Sequence, residues 1–64
     1  MIKINGLEYD IQGQTLQSYL STTDYDLKHI AVEINQQIVS KKDYETTILQ
    51  DGDVVEVVNF VGGG

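Results

Sequence analysis

The 64-residue sequence contains neither cysteine nor arginine. The first absence excludes disulfides, thiolate zinc sites and cysteine nucleophiles together. The second leaves four lysines against ten acidic residues, a formal charge of −6. Nucleic acid repels such a surface, because neutralising phosphate needs clustered Lys and Arg. A membrane of anionic lipids is an equally poor partner. A basic protein partner suits this charge, and so does plain solubility. Long apolar runs are lacking too: none approaches the ~18 residues of a membrane span. The opening Met-Ile-Lys-Ile-Asn-Gly has no apolar core of a signal peptide. A cytosolic protein is expected.

What is present belongs to one small ordered domain. The sequence is 41% hydrophobic and 22% charged, within the globular range. A chain of this size buries only about 60% of the surface its unfolded form exposes. That leaves little room for an enclosed pocket of the ~300–1,000 Å³ usual for ligand sites. A carrier, binding module or regulator is favoured over a self-contained enzyme.

Ile2 and Ile4 alternate with polar residues, as do Leu7, Tyr9 and Ile11, and Asn5-Gly6 between them is a hairpin signal. Thr15 is placed to cap a short helix whose apolar stripe is Leu16, Tyr19 and Leu20, ended by the polar run Ser21–Asp24. Ile30, Val32 and Ile34 mark a third strand, Asn35-Gln36-Gln37 a turn and Ile38-Val39 a brief fourth strand. Residues 42–47 read as a helical turn, with Tyr44, Ile48 and Leu49 facing inward. Asp51-Gly52-Asp53 reads as a tight turn. Val54 to Val58 is the most β-branched run and predicts a strand at the sheet centre, beside the first strand. The predicted core is Ile2, Ile4, Leu16, Leu20, Val32, Ile34, Leu49, Val55 and Val57.

Conventional catalytic residues are scarce. His29 is the sole histidine, flanked by Asp24, Asp26 and Glu33, and a lone loop histidine is ordinarily a surface residue. Ser18, Ser21 and Ser40 have no nucleophile-elbow context. Asp51-Gly52-Asp53 lacks the recurring oxygen ligands of a calcium loop. No metal ligand set is expected.

The ending is different. Gly62-Gly63-Gly64 follows an otherwise glycine-poor strand, buries nothing and costs backbone entropy. With Gly64 closing the sequence, its α-carboxylate is expected to be free and ionised at neutral pH. Residues 59–64, if extended, reach roughly 20 Å. A tail without Cβ atoms can thread a narrow channel into another protein's active site.

From end to end the sequence resembles the ThiS family of sulfur carriers of thiamine biosynthesis. The residues that carry the resemblance are Asn5-Gly6, Thr15-Leu16, Ala31-Val32-Glu33-Ile34-Asn35, Asp51-Gly52-Asp53, Val55-Glu56-Val57-Val58 and Phe60-Val61-Gly62-Gly63-Gly64. The resemblance implies an α+β, ubiquitin-like β-grasp fold: a mixed sheet of four or five strands with one principal helix on one face. It implies a domain over residues 1–61 and a flexible glycine tail over 62–64. It also implies a protein cosubstrate without a cofactor of its own. An E1-like adenylyltransferase, using ATP and magnesium, would activate the Gly64 carboxylate. A cysteine desulfurase pathway would supply sulfur, and thiazole synthase would take it from the resulting thiocarboxylate. The family motif is matched by Gly63-Gly64, and Gly62 is an additional glycine.

In the last strand, Val55 and Val57 share one parity, while Val58 and Phe60 share the other. If the helix covers the Val55 face, Val58 and Phe60 form an exposed patch beside the tail, a docking surface together with Val61, Gly62 and Gly63. Two alternatives keep the fold and change the role. One is a carrier of the molybdopterin-synthase small-subunit type or another sulfur carrier, and the other a non-reactive ubiquitin-like interaction module.

Overall fold

The computed structural model describes residues 1–60. The expectations for Val61, Gly62, Gly63 and Gly64, and for the 61/62 boundary, lie outside the described residues. Strand β1 (Ile2–Ile4) and strand β2 (Leu7–Tyr9) form the expected hairpin, with Ile4 opposite Leu7. Between them Asn5 and Gly6 have φ of 49° and 85°. A type I′ turn requires this positive pair, and Asn-Gly adopts it with little strain.

Helix α1 (Leu16–Leu20) is too short to persist alone, so its ends are held by other groups. The Thr15 hydroxyl accepts the Ser18 N–H at 3.0 Å, the expected cap. The N–H groups of Leu16 and Gln17 have no intrahelical acceptor. They donate to the carbonyls of Thr47 at 2.8 Å and Tyr44 at 2.9 Å. At the other end the hydroxyls of Ser21, Thr22 and Thr23 each donate to the carbonyl three residues back, all at 2.7 Å. These side chains offer the last carbonyls an alternative to further helix, and the helix stops there.

Strands β3 (Ile30–Ile34), β4 (Gln37–Val39) and β5 (Val54–Asn59) complete a sheet of order β2-β1-β5-β3-β4. β5 is central, parallel to β1 and antiparallel to β3, so the first and last strands are neighbours as predicted. One face of the sheet, α1 and the segment before β5 share a single core. It consists of Ile2, Ile4, Leu16, Leu20, Ile30, Val32, Tyr44, Leu49, Val55 and Val57.

Two expectations need correction. Ile34 is only partly buried at the margin of this cluster. Ile48, expected to face inward, is 54% exposed. It forms an antiparallel bridge with Thr15, and in extended backbone successive side chains point to opposite sides. Ile48 and Leu49 therefore cannot both face the core, and Leu49 occupies it. Tyr44 follows a 3-10 turn, Lys41–Asp43, and is buried as expected.

The two hairpin turns meet β5 from opposite sides. Asn5 donates its backbone N–H to the Val55 carbonyl at 3.0 Å. Its side-chain amide then continues the ladder, accepting the Val57 N–H at 2.8 Å and donating to the Val57 carbonyl at 3.2 Å. On the other flank, Asn35 donates its N–H to the Val54 carbonyl at 2.8 Å, and its Oδ1 accepts the Val54 N–H at 3.0 Å. Replacing Asn5 with Gly keeps the positive φ and removes both side-chain bonds, so stability should fall by about 1–2 kcal/mol. Asn5→Asp keeps the acceptor and should cost less. Urea unfolding of both variants checks this order, and equal costs would mean that the Val57 N–H bond is not what Asn5 contributes.

Candidate functional site

The exposed face of the sheet is built by alternation along β5. Val55 and Val57 are buried, while Val58 is 53% and Phe60 46% exposed, the arrangement expected from parity. Register fixes their neighbours. Ala31 lies opposite Val58, Glu33 opposite Glu56, and Ile38 opposite Glu33 on the far side. Val58 and Ala31 thus form an apolar step beside two carboxylates on adjacent strands. Among the described residues neither Glu33 nor Glu56 is ion-paired. Like charges set directly across a ladder destabilise it, so this face carries an arrangement that folding alone does not favour.

Phe60 lies one residue beyond β5, and its N–H donates to the His29 carbonyl at 2.8 Å. His29 closes a 3-10 turn, Leu27–His29, capped by Asp26, whose carboxylate accepts the Lys28 N–H at 3.0 Å. The His29 Nδ1 is 3.1 Å from Asp26 Oδ2. The Asp26 carboxyl is held below its ordinary value, chiefly by the Lys28 N–H and further by the positive charge of His29 and Lys28. His29 and Asp26 thus pair as neighbours on a turn, and among the described residues no serine or threonine hydroxyl bonds to the imidazole.

The remaining candidates resolve as structure. In Asp51-Gly52-Asp53, Gly52 has φ 93°, while the Asp53 carboxylate accepts from Asn35 Nδ2 at 3.0 Å and the Gln50 N–H at 2.9 Å. That is a turn with its carboxylate engaged by the protein itself. Among the described residues no group of three His, Asp or Glu side chains is placed to hold a metal, and no helix is long and apolar enough to cross a membrane. A groove beside β4, between Ile38 and Ile48, has Asp53 as its one titratable lining residue.

A five-stranded mixed sheet with parallel first and last strands at its middle and one helix across a face is the β-grasp of ubiquitin-like proteins. A crystal structure of the thiamine biosynthesis protein ThiS from Geobacter metallireducens superposes with a TM-score of 0.79. It has 27% identity and covers 98% of this chain and 97% of that one. A model of the ThiS family matches residues 2–64. The sulfur carrier protein ThiS of Bacillus subtilis is 36% identical over 66 residues, spanning the whole of both chains. A thiazole synthase of Magnetococcus marinus is 38% identical over 64 residues, and there the chain spans only 20% of the relative's length. The chain belongs to the ThiS family, sulfur carriers of thiamine biosynthesis that are not themselves the catalyst.

The exposure of Val58 and Phe60 was legible in the alternation of the sequence. The contact of Phe60 with His29 was not, because it depends on the long-range register of β3 with β5. The Asp26 carboxyl should titrate below its ordinary value near 3.8 when followed by NMR. A lowered folded value means that its contribution to stability is present above pH 3.8 and is lost as pH falls through the folded midpoint. His29→Ala should leave most of the lowering in place, since the Lys28 N–H is the larger cause. Full reversion to the ordinary value would assign the shift to the imidazole.

Proposed function

We propose that this chain accepts, holds and delivers sulfur on the α-carboxylate of Gly64, with residues 1–61 as the folded body and 62–64 as a flexible tail. A carboxylate is a poor acyl donor, because its leaving group is oxide. In the proposed sequence a Gly64 oxygen attacks the α-phosphorus of ATP in an E1-like adenylyltransferase, and pyrophosphate leaves. The acyl adenylate then has AMP as leaving group. A persulfide from a cysteine desulfurase pathway displaces AMP to give an acyl disulfide. A second thiol then attacks the sulfur distal to the acyl group, forming a disulfide and releasing the Gly64 thiocarboxylate. ATP and magnesium belong to the activating enzyme, which suits a cytosolic setting. Thiazole synthase is the proposed acceptor, supported by the relative of that name, which contains a segment like this chain within a longer protein. The observation that carries the proposal is the alignment with the Bacillus subtilis sulfur carrier over the whole of both chains.

The body's part is to bring the tail to the enzyme. β5 runs to the rim of the sheet, with Val58 and Phe60 exposed there. In this reading Val58, Phe60 and Val61 dock against the activating enzyme, while Gly62 and Gly63 pass Gly64 into its active site. An aromatic buried at the centre of an interface dominates its energy. Phe60→Ala should weaken binding to the activating enzyme by more than about 1 kcal/mol, with the circular dichroism spectrum unchanged. Calorimetric titration checks it.

The chemistry has its own test by intact mass. Activating enzyme with Mg-ATP should add one adenylate, and a sulfur source should then leave the protein about 16 Da heavier than at the start, as expected for acyl transfer to sulfur. A residue added past Gly64, or an amide cap, should abolish both products without altering the fold. Sulfur uptake by the capped protein would sink the carrier chemistry at Gly64.

A further inference from the structure

We infer that His29, fixed by Asp26, is a positioning residue that presents Phe60 to the activating enzyme. The inference rests on the proposed docking role of Phe60. Phe60 lies one residue beyond β5 and outside the core cluster, so the register of β3 with β5 places its backbone but does not choose its side-chain orientation. Among the described residues two contacts join it to His29, one through the backbone and one through the rings. The Phe60 N–H donates to the His29 carbonyl at 2.8 Å, and the two rings meet edge to face, with centroids 6.4 Å apart and planes at 77°.

The imidazole is held in turn. Its Nδ1 lies 3.1 Å from Asp26 Oδ2, and the His29 N–H donates to the Asp26 carbonyl at 2.8 Å. Asp26 is anchored by the Lys28 N–H on its other carboxylate oxygen at 3.0 Å. The chain of contacts therefore runs from a capped turn, through an oriented ring, to the last described residue before the glycine segment. A side chain already held in its binding orientation loses less freedom on association than a free one. His29 acts through Phe60 and takes no part in the chemistry of Gly64.

The test is a double-mutant cycle on adenylation, with His29→Ala, Phe60→Ala and the double variant, alongside NMR of the free proteins. His29→Ala should raise KM for the carrier roughly fivefold, the scale of one aromatic pair, with kcat and Tm unchanged. In the Phe60→Ala background the same change should add nothing. His29→Phe, which restores a ring edge, should bring KM back toward that of the unmodified protein. In the free protein, His29→Ala should shift the Phe60 ring resonances and lower the protection of its amide.

Additive effects of the two substitutions, an unchanged KM in His29→Ala, or no rescue by His29→Phe would each overturn the inference. So would Phe60 resonances that ignore the loss of the imidazole. If Phe60→Ala alone leaves KM unchanged, the docking role itself falls, and the positioning role falls with it. If Phe60→Ala raises KM and His29→Ala does not, only the positioning role falls.

Discussion

β5 is held from both flanks by asparagine side chains, and the rest of the fold is arranged around that grip. Backbone pairing of β1 with β5 extends over Lys3 with Val54 and Ile4 with Val55. Where it stops, the Asn5 amide supplies an acceptor and a donor to Val57, standing in for the next rung. From the β3–β4 turn the Asn35 Oδ1 accepts the Val54 N–H and its backbone N–H donates to the Val54 carbonyl, while its Nδ2 donates to the Asp53 carboxylate. Each asparagine has positive φ, so each turn conformation and each clamp select the same residue type. Gln36 follows Asn35 at φ 71°, an unfavourable place for a side chain of its kind, and the Asn35 clamp holds the turn that requires it.

How much of this could be read from the sequence depended on whether the cause was local. Asn5-Gly6, the Thr15 cap and the alternation of β5 are local, and the structure follows them. The failures involve pairing between distant segments. Ile48 and Leu49 are adjacent apolar residues, and composition gives no way to choose which one turns inward. The bridge to Thr15 makes that choice. Tyr44 is buried as its segment predicted, but the service of its carbonyl to the Gln17 N–H, which ties the helix start to that segment, is a long-range contact the sequence does not show. The Asp26–His29 pair has the spacing of an ordinary surface contact. Only the register that places Ile30 opposite Asn59 brings Phe60 to it.

The exposed face repeats the distinction between folding and use. Across the buried face, Val32 and Val57 are partners in the core, as side chains that stabilise a sheet should be. One residue along the same ladder, Glu33 meets Glu56, and Val58 meets Ala31 with its side chain in solvent. Opposed carboxylates and an exposed valine do little for the isolated domain. They are compatible with the docking role proposed for this face, for which a partner carrying positive charge and apolar area would be complementary.

Alternation divides one strand between two tasks, and register is what keeps them apart. A slip of one residue would turn every β5 side chain to the opposite face. Val55 and Val57 would then leave the core, and Glu56 and Val58 would enter it. The buried valines resist such a slip, but they do so only once the sheet is packed. The asparagine clamps act on the backbone and name particular partners, Val54 and Val57, whatever the side chains do. Two turn residues thereby decide which residues stand on the exposed face. They also decide where on the sheet rim Phe60 emerges.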